Sequence, residues 1–110
     1  VAKPVKGDVV VVPFPFSDLT QAKRRPALVV AVLRGDDVIL CQITSQQIRD
    51  EYAVSLADSD FESGSLKRPS NIRPNRVFTA DRKIVLYRAG HLKPAKTEQV
   101  TKKIVAILER

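Results

Sequence analysis

The chain has 110 residues, 28% of them charged and 44% hydrophobic, and 19 Lys and Arg against 12 Asp and Glu leave a net charge of +7. That length fits one small domain with a modest core, spanning residues 1–110, and is too short for a catalytic domain joined to a regulatory one. The hydrophobic share argues against disorder, and the longest apolar run, 27–33, falls far below the ~20 residues a bilayer-spanning helix needs.

In chain order, Lys6-Gly7-Asp8 reads as a turn into the β-branched run Val9-Val10-Val11-Val12. Pro13 and Pro15 then imply that this strand ends early or lies at an edge, with Phe14 and Phe16 facing one side. Ser17 to Arg24 is polar and reads as a loop, and Arg25-Pro26 opens a second strand, Ala27 to Leu33. After the tight connection Arg34 to Asp37, Val38 to Thr44 forms a third, apolar on both faces until Gln42 and Thr44. Tyr52 to Leu56 alternates like a short strand, and Ala57 to Ser65 reads as an acidic turn. Two further short strands are expected around Ser70 to Arg73 and Asn75 to Thr79, punctuated by Pro69 and Pro74. Ile84 to Tyr87 either closes a sheet or leads into the tail. Beyond it Pro94 sits in a helical first turn, and Val100, Ile104, Ile107 and Leu108 recur at helical spacing. Short strands plus one terminal helix predict a mainly β protein, a small barrel or curled antiparallel sheet without βαβ units.

The positive charge is uneven. Residues 1–55 carry a net +1 and residues 56–110 a net +6, and the stretch 67–88 alone accounts for +6. Its cations are Lys67, Arg68, Arg73, Arg76, Arg82, Lys83 and Arg88, against the one acid Asp81. Arg dominates, and its planar donor fork suits phosphate oxygens, so a polyanion is the expected partner. An anionic membrane is not, because no basic amphipathic helix carries these charges.

Much chemistry is removed by subtraction. One Cys and one His cannot supply a structural zinc site, and neither GxxxxGK[ST] nor GxGxxG occurs. No cofactor is implied. A lone His91 excludes a ribonuclease built on two histidines and reads as a surface or packing residue, while Cys41 reads as a small buried hydrophobe. With no partner for a disulfide, Cys41 suits a reducing cytoplasm. The absence of a basic-then-apolar leader gives no sign of secretion, and the opening Val suggests a trimmed start. Two positions stand out. Arg25 sits where a polar loop enters a strongly apolar strand, and Thr44 where a polar side chain ends another. The short turn between those strands would let the two meet on adjacent antiparallel partners.

The run Lys6 to Val12, then Pro15-Phe16, then Lys23-Arg24-Arg25-Pro26 and its apolar strand resembles the opening of the MazF/PemK toxins. Cys41-Gln42-Ile43-Thr44-Ser45 is similar to that family's Q-I-T-S segment, and Leu66-Lys67-Arg68-Pro69-Ser70 to its L-K-x-x-S element. Phe78-Thr79-Ala80-Asp81 falls at its T-x-D element, and Gly90-His91-Leu92 precedes the last helix as G-x-L does there. The resemblance covers nearly the whole chain, in order. It implies an SH3-like β-barrel with a short C-terminal helix, working as a homodimer restrained by a cognate antitoxin. The implied activity is metal-independent, sequence-selective cleavage of single-stranded RNA, with Arg25 and Thr44 at the catalytic positions. Arg24, Lys67, Arg68, Ser70, Arg73, Arg76, Thr79, Asp81 and Arg82 are the expected RNA contacts. Where some members carry an Arg before the T-x-D element this chain has Phe78, which leaves Arg76 or Arg82 to substitute. Two other readings stay open: a gyrase-binding poison of related fold, and a passive SH3-like module that binds nucleic acid without cutting it.

Overall fold

A computed structural model describes residues 3–15, 22–47 and 49–110 of the chain. Seven antiparallel strands and one helix follow in order: β1 (Asp8–Pro15), β2 (Ala22–Val32), β3 (Asp37–Thr44), β4 (Val54–Leu56), β5 (Phe61–Gly64), β6 (Ser70–Asp81), β7 (Tyr87–Leu92) and α1 (Pro94–Leu108). They form one sheet in the order β4-β6-β3-β2-β1-β7-β5. The expected mainly β architecture with a single C-terminal helix is borne out.

The sheet curls. Val54, Leu56 and Phe61, from the two strands at its ends, share a core with Val9, Leu28 and Cys41 from its centre. End strands reach a central cluster only if the sheet wraps around it. Helix α1 covers this side with Val100, which is fully buried, and Ile104, which is partly so. The opposite face of β1–β3 carries a second core of Val10, Val12, Ala27, Val29, Val38 and Leu40, closed by Val85. Burial on both faces explains why these strands read as continuous apolar runs rather than alternating ones.

Three sequence expectations change. β1 does not stop at its prolines: it pairs with β2 as far as Pro15–Ala22, but with β7 only as far as Val11–Tyr87. The Val11 carbonyl accepts from the Leu86 N–H on the β7 side. Strand alternation puts the nitrogens of Pro13 and Pro15 on that same side, past the end of β7, where no ladder bond is required of them. The two strands expected around Pro74 are one, β6, because Pro74 falls in the irregularity where the β3 register shifts between Cys41 and Ile43. Such a bulge absorbs the missing donor. The acidic segment after β4 holds a 3-10 turn at Asp58–Asp60 and then β5, and 84–87 splits between a second 3-10 turn, Arg82–Ile84, and the start of β7. Phe16 and most of the polar loop, residues 17–21, lie outside the described residues, while Lys23, Arg24 and Arg25 belong to β2.

The terminal stripe is only partly a core feature. Val100 is buried and Ile104 packs on the core, but Leu108 is 78% exposed. At that end Arg110 instead lies 5.6 Å from the Tyr52 ring centroid.

Candidate functional site

A cavity of about 650 Å3 opens where β1, β2, β3 and β7 meet the segment between β5 and β6. Its apolar lining comes from Val11, Pro26, Ile43 and Leu66. Leu66 is partly buried against the main core and so anchors the 65–68 segment to the site. Around this floor stand Arg24, Arg25, Lys67, Arg68 and Arg88, and among the described residues no carboxylate lines it. Ser45, Ser65 and Ser70 add hydroxyls, and the Ser70 hydroxyl donates to the Arg68 carbonyl at 2.9 Å, which ties down that corner. Concave, one-signed and rich in fork-shaped donors, the cavity suits a phosphate chain.

Arg25 lies opposite Val12 of β1. The β2–β3 register runs through Ala27–Gln42, and continued by two residues it sets Arg25 across from Thr44. Thr44 is 8% exposed. Its hydroxyl oxygen accepts from the Gln46 N–H at 3.2 Å, forming a short turn and leaving its own proton to donate elsewhere. The sequence reading placed both residues at strand ends; Thr44 does end β3, but Arg25 lies inside β2, which starts at Ala22, and Thr44 is not among the residues lining the cavity.

The basic stretch 67–88 is divided by the fold. Lys67, Arg68 and Ser70 line the cavity with Arg24 and Arg25, whereas Arg73, Arg76, Thr79, Asp81 and Arg82 do not. Arg73 pairs at 3.3 Å with Asp50, and Arg82 at 2.8 Å with Asp36. The Arg82 guanidinium, by hydrogen bond and by charge, holds the Asp36 carboxyl below its ordinary value. Asp81 accepts from the Lys83 N–H at 2.8 Å and closes the second 3-10 turn. Arg76 and Thr79 are exposed along β6. Phe78 is a packing residue: it lies against the second core, with its ring centroid 5.0 Å from that of Phe14.

Arg88 was absent from the expected contacts, although it closes the basic stretch in the sequence. It reaches the cavity because β7 runs beside β1, and its guanidinium lies 3.6 Å from Asp8. His91, on the same strand, engages Asp8 through Nδ1 at 2.8 Å and does not line the cavity. Cys41 is fully buried, its thiol donating to the Arg73 carbonyl at 3.0 Å, and burial pushes its pKa up to about 12. Such a thiol stays protonated and is no nucleophile near neutral pH. Among the described residues no group of three or more His, Cys, Asp or Glu is placed to hold a metal ion, and no helix is long and apolar enough to cross a membrane.

The molecule is thus a small curled antiparallel sheet with one C-terminal helix and a cationic cavity lined in part by Arg24 and Arg25 of β2. Residues 5–108 match the family model of the PemK-like, MazF-like toxins of type II toxin–antitoxin systems. The chain belongs to that family. No curated protein sequence matches it, but solved structures share its fold at low identity. An endoribonuclease in complex with its cognate antitoxin from a Mycobacterial species is 15% identical, with a TM-score of 0.76 over 96% of this chain and 95% of its own. MazF from Deinococcus radiodurans is 20% identical, with a TM-score of 0.77 and full coverage of both chains. The Mycobacterium tuberculosis toxin MazF-mt6 is 16% identical, with a TM-score of 0.71 over 93% of this chain and 96% of its own.

Proposed function

We propose that this toxin is an endoribonuclease that cleaves single-stranded RNA without a metal ion, acting in the cytoplasm as a single 1–110 domain. The observation that carries the reading is the cavity ringed by Arg24, Arg25, Lys67, Arg68 and Arg88, in a chain of this toxin family. Five fixed cations in one concavity hold a phosphodiester and repel nothing that RNA carries.

In the proposed reaction the ribose 2′-oxygen forms a bond to its own 3′-phosphorus and the bond from phosphorus to the 5′-oxygen breaks. The products are a 2′,3′-cyclic phosphate and a 5′-hydroxyl. One proton leaves the 2′-hydroxyl and one reaches the departing oxygen, so the site must manage two transfers and a growing phosphoryl charge. Arg25 supplies a fixed positive charge and a donor fork to the non-bridging oxygens, and the Thr44 hydroxyl donates to one of them. Arginine remains protonated at neutral pH, so its contribution is electrostatic stabilisation rather than proton donation. Lys67, Arg68 and Arg88 hold the flanking phosphates, and Arg76 and Thr79, outside the cavity, meet a longer RNA further along β6.

The relatives solved with antitoxins support a cognate antitoxin as partner, and an acidic segment lying in the cationic cavity would block the substrate. A homodimer is the proposed working state. Tyr87, half exposed at the cavity edge, and Leu86 and Ile84 beside it give a second copy apolar surface to cover.

Cleavage of a mixed-sequence RNA with excess chelator, with product ends mapped, tests the reading. Cutting should persist and leave 5′-hydroxyl ends. Arg25→Ala and Thr44→Ala proteins with native circular dichroism should each lose about 100-fold or more in rate, the usual effect of removing one donor to a developing charge. Chelator-sensitive cutting, or full activity in both variants, would sink it. Inhibition of gyrase with no RNA cleavage would point to a non-catalytic poison instead.

A further inference from the structure

A second cavity, of about 410 Å3, draws apolar lining from the second core through Val10 and Val85 and has Arg88 in common with the first. Pro4, Val5, Val10 and Val85 make it apolar, Lys3 and Arg88 bring positive charge, and Asp8 is the one carboxylate lining it. The Asp8 side chain is 5% exposed and rigidly held. Its Oδ1 meets His91 Nδ1 at 2.8 Å and lies 3.6 Å from an Arg88 terminal nitrogen, and its Oδ2 accepts from the Val5 N–H at 3.0 Å. A carboxylate offers about four acceptor positions; the His91 and Val5 hydrogen bonds use two and the Arg88 contact is an ion pair, so two remain for a pair of adjacent donors. The combination of apolar walls, one fixed hydrogen-bonding group and cations at the rim is that of a small-molecule pocket with a planar, amine-bearing occupant.

We propose that this cavity is a nucleobase subsite of the RNA groove. A base splayed from the strand packs among Pro4, Val5, Val10 and Val85. Its pairing edge donates to Asp8, and Arg88 holds the phosphate that links it to the nucleotide in the first cavity. The proposal rests on the RNA-cleaving reading above and adds its base selectivity. A carboxylate acceptor selects by donor pattern: guanine offers two adjacent donors, N1–H and the 2-amino group. Adenine and cytosine offer one amino group beside a ring acceptor. Uracil offers a single N–H flanked by two carbonyl oxygens that repel the carboxylate. Guanine is therefore the favoured occupant and uracil the excluded one, since a buried polar group left badly paired discriminates strongly.

The test is a methyl-NMR titration of the wild-type protein with GMP and, separately, UMP, which carry the same phosphate. GMP should shift the methyl signals of Val5, Val10 and Val85, and UMP should need at least tenfold higher concentration to do the same. Unmoved valines, or equal responses to both nucleotides, would overturn the subsite. Because the titration does not depend on cleavage, a protein that bound GMP in this way but cut no RNA would refute the activity and leave the pocket standing. In cleavage mapping on a random RNA pool, wild type should show guanine enriched at one fixed position from the cut. Folded Asp8→Asn protein, whose amide donates as well as accepts, should admit uracil there. An unchanged base profile in that variant would also overturn the proposal.

Discussion

Cys41 illustrates how position in the fold rewrites a side chain's chemistry. Its thiol is raised from an ordinary 9.0 to about 12 by burial, so the folded chain keeps a proton that the unfolded chain releases. The thiol is neutral when protonated, and a raised folded value means no stability is lost below pH 9.0; stability falls as pH climbs from there toward about 12. The slope approaches about 1.4 kcal/mol per pH unit. Urea denaturation across that range should show the decline in wild type, and the difference from Cys41→Val, which lacks the titrating group, isolates it. The same burial predicts that a thiol reagent labels the native protein only as fast as the core opens. The alternation of β3 already marked Cys41 as internal in the sequence. Arg88 is the converse. As one cation in a basic run it carried no sign of its place, and only the pairing of β7 with β1 brings it to the cavity and to Asp8.

At the scale of elements, local pattern and tertiary context divide the outcome. The apolar stretches of β1, β2 and β3 and the helical spacing of α1 were legible, because burial imprints a period on the sequence. β5 was not, since Phe61 is the one buried residue of a four-residue strand and the strand exists only by pairing with β7. The prolines of β1 fit the edge reading, since they lie past the end of β7, but Pro74 misled, because a bulge in β6 absorbs it and a linear sequence does not show register. The β5–β7 ladder also brings two backbones close at Gly64 and Gly90. Gly64 has φ +72°, and a Cβ there would overlap the Ala89 carbonyl, whereas Gly35 has φ +74° with nothing within 4 Å of its Cβ position. Gly35→Ala should therefore cost only the left-handed penalty, about 1–2 kcal/mol. Gly64→Ala should cost clearly more, because β5 and β7 must also separate. Chemical denaturation of the two variants checks this, and equal losses would show that the ladder relaxes freely.

For the whole molecule, charge and curvature act together. The net +7 is a property of the chain, but the fold pairs Arg73, Arg82 and Arg88 with Asp50, Asp36 and Asp8 and sets five cations, Arg88 among them, around one cavity. Binding of single-stranded RNA should weaken with salt by about 0.7 logarithmic units per phosphate contacted and per decade. Five contacts then give a slope of about −3.5, and Arg24→Ala or Lys67→Ala should each flatten it by roughly 0.7. Fluorescence anisotropy over a salt series measures this, and an unchanged slope in both variants would remove them from the RNA path. The sequence by itself determined the size, the positive sign, the strand-rich architecture with its terminal helix, and the strand end bearing Thr44. These follow from composition, periodicity and ordered motifs, which are local or additive. Tertiary structure alone decided which cations face one another, that Asp8 lines a second cavity beside Arg88, and where the prolines do no harm. Each of these depends on register and curl, and so on contacts between residues far apart in the chain.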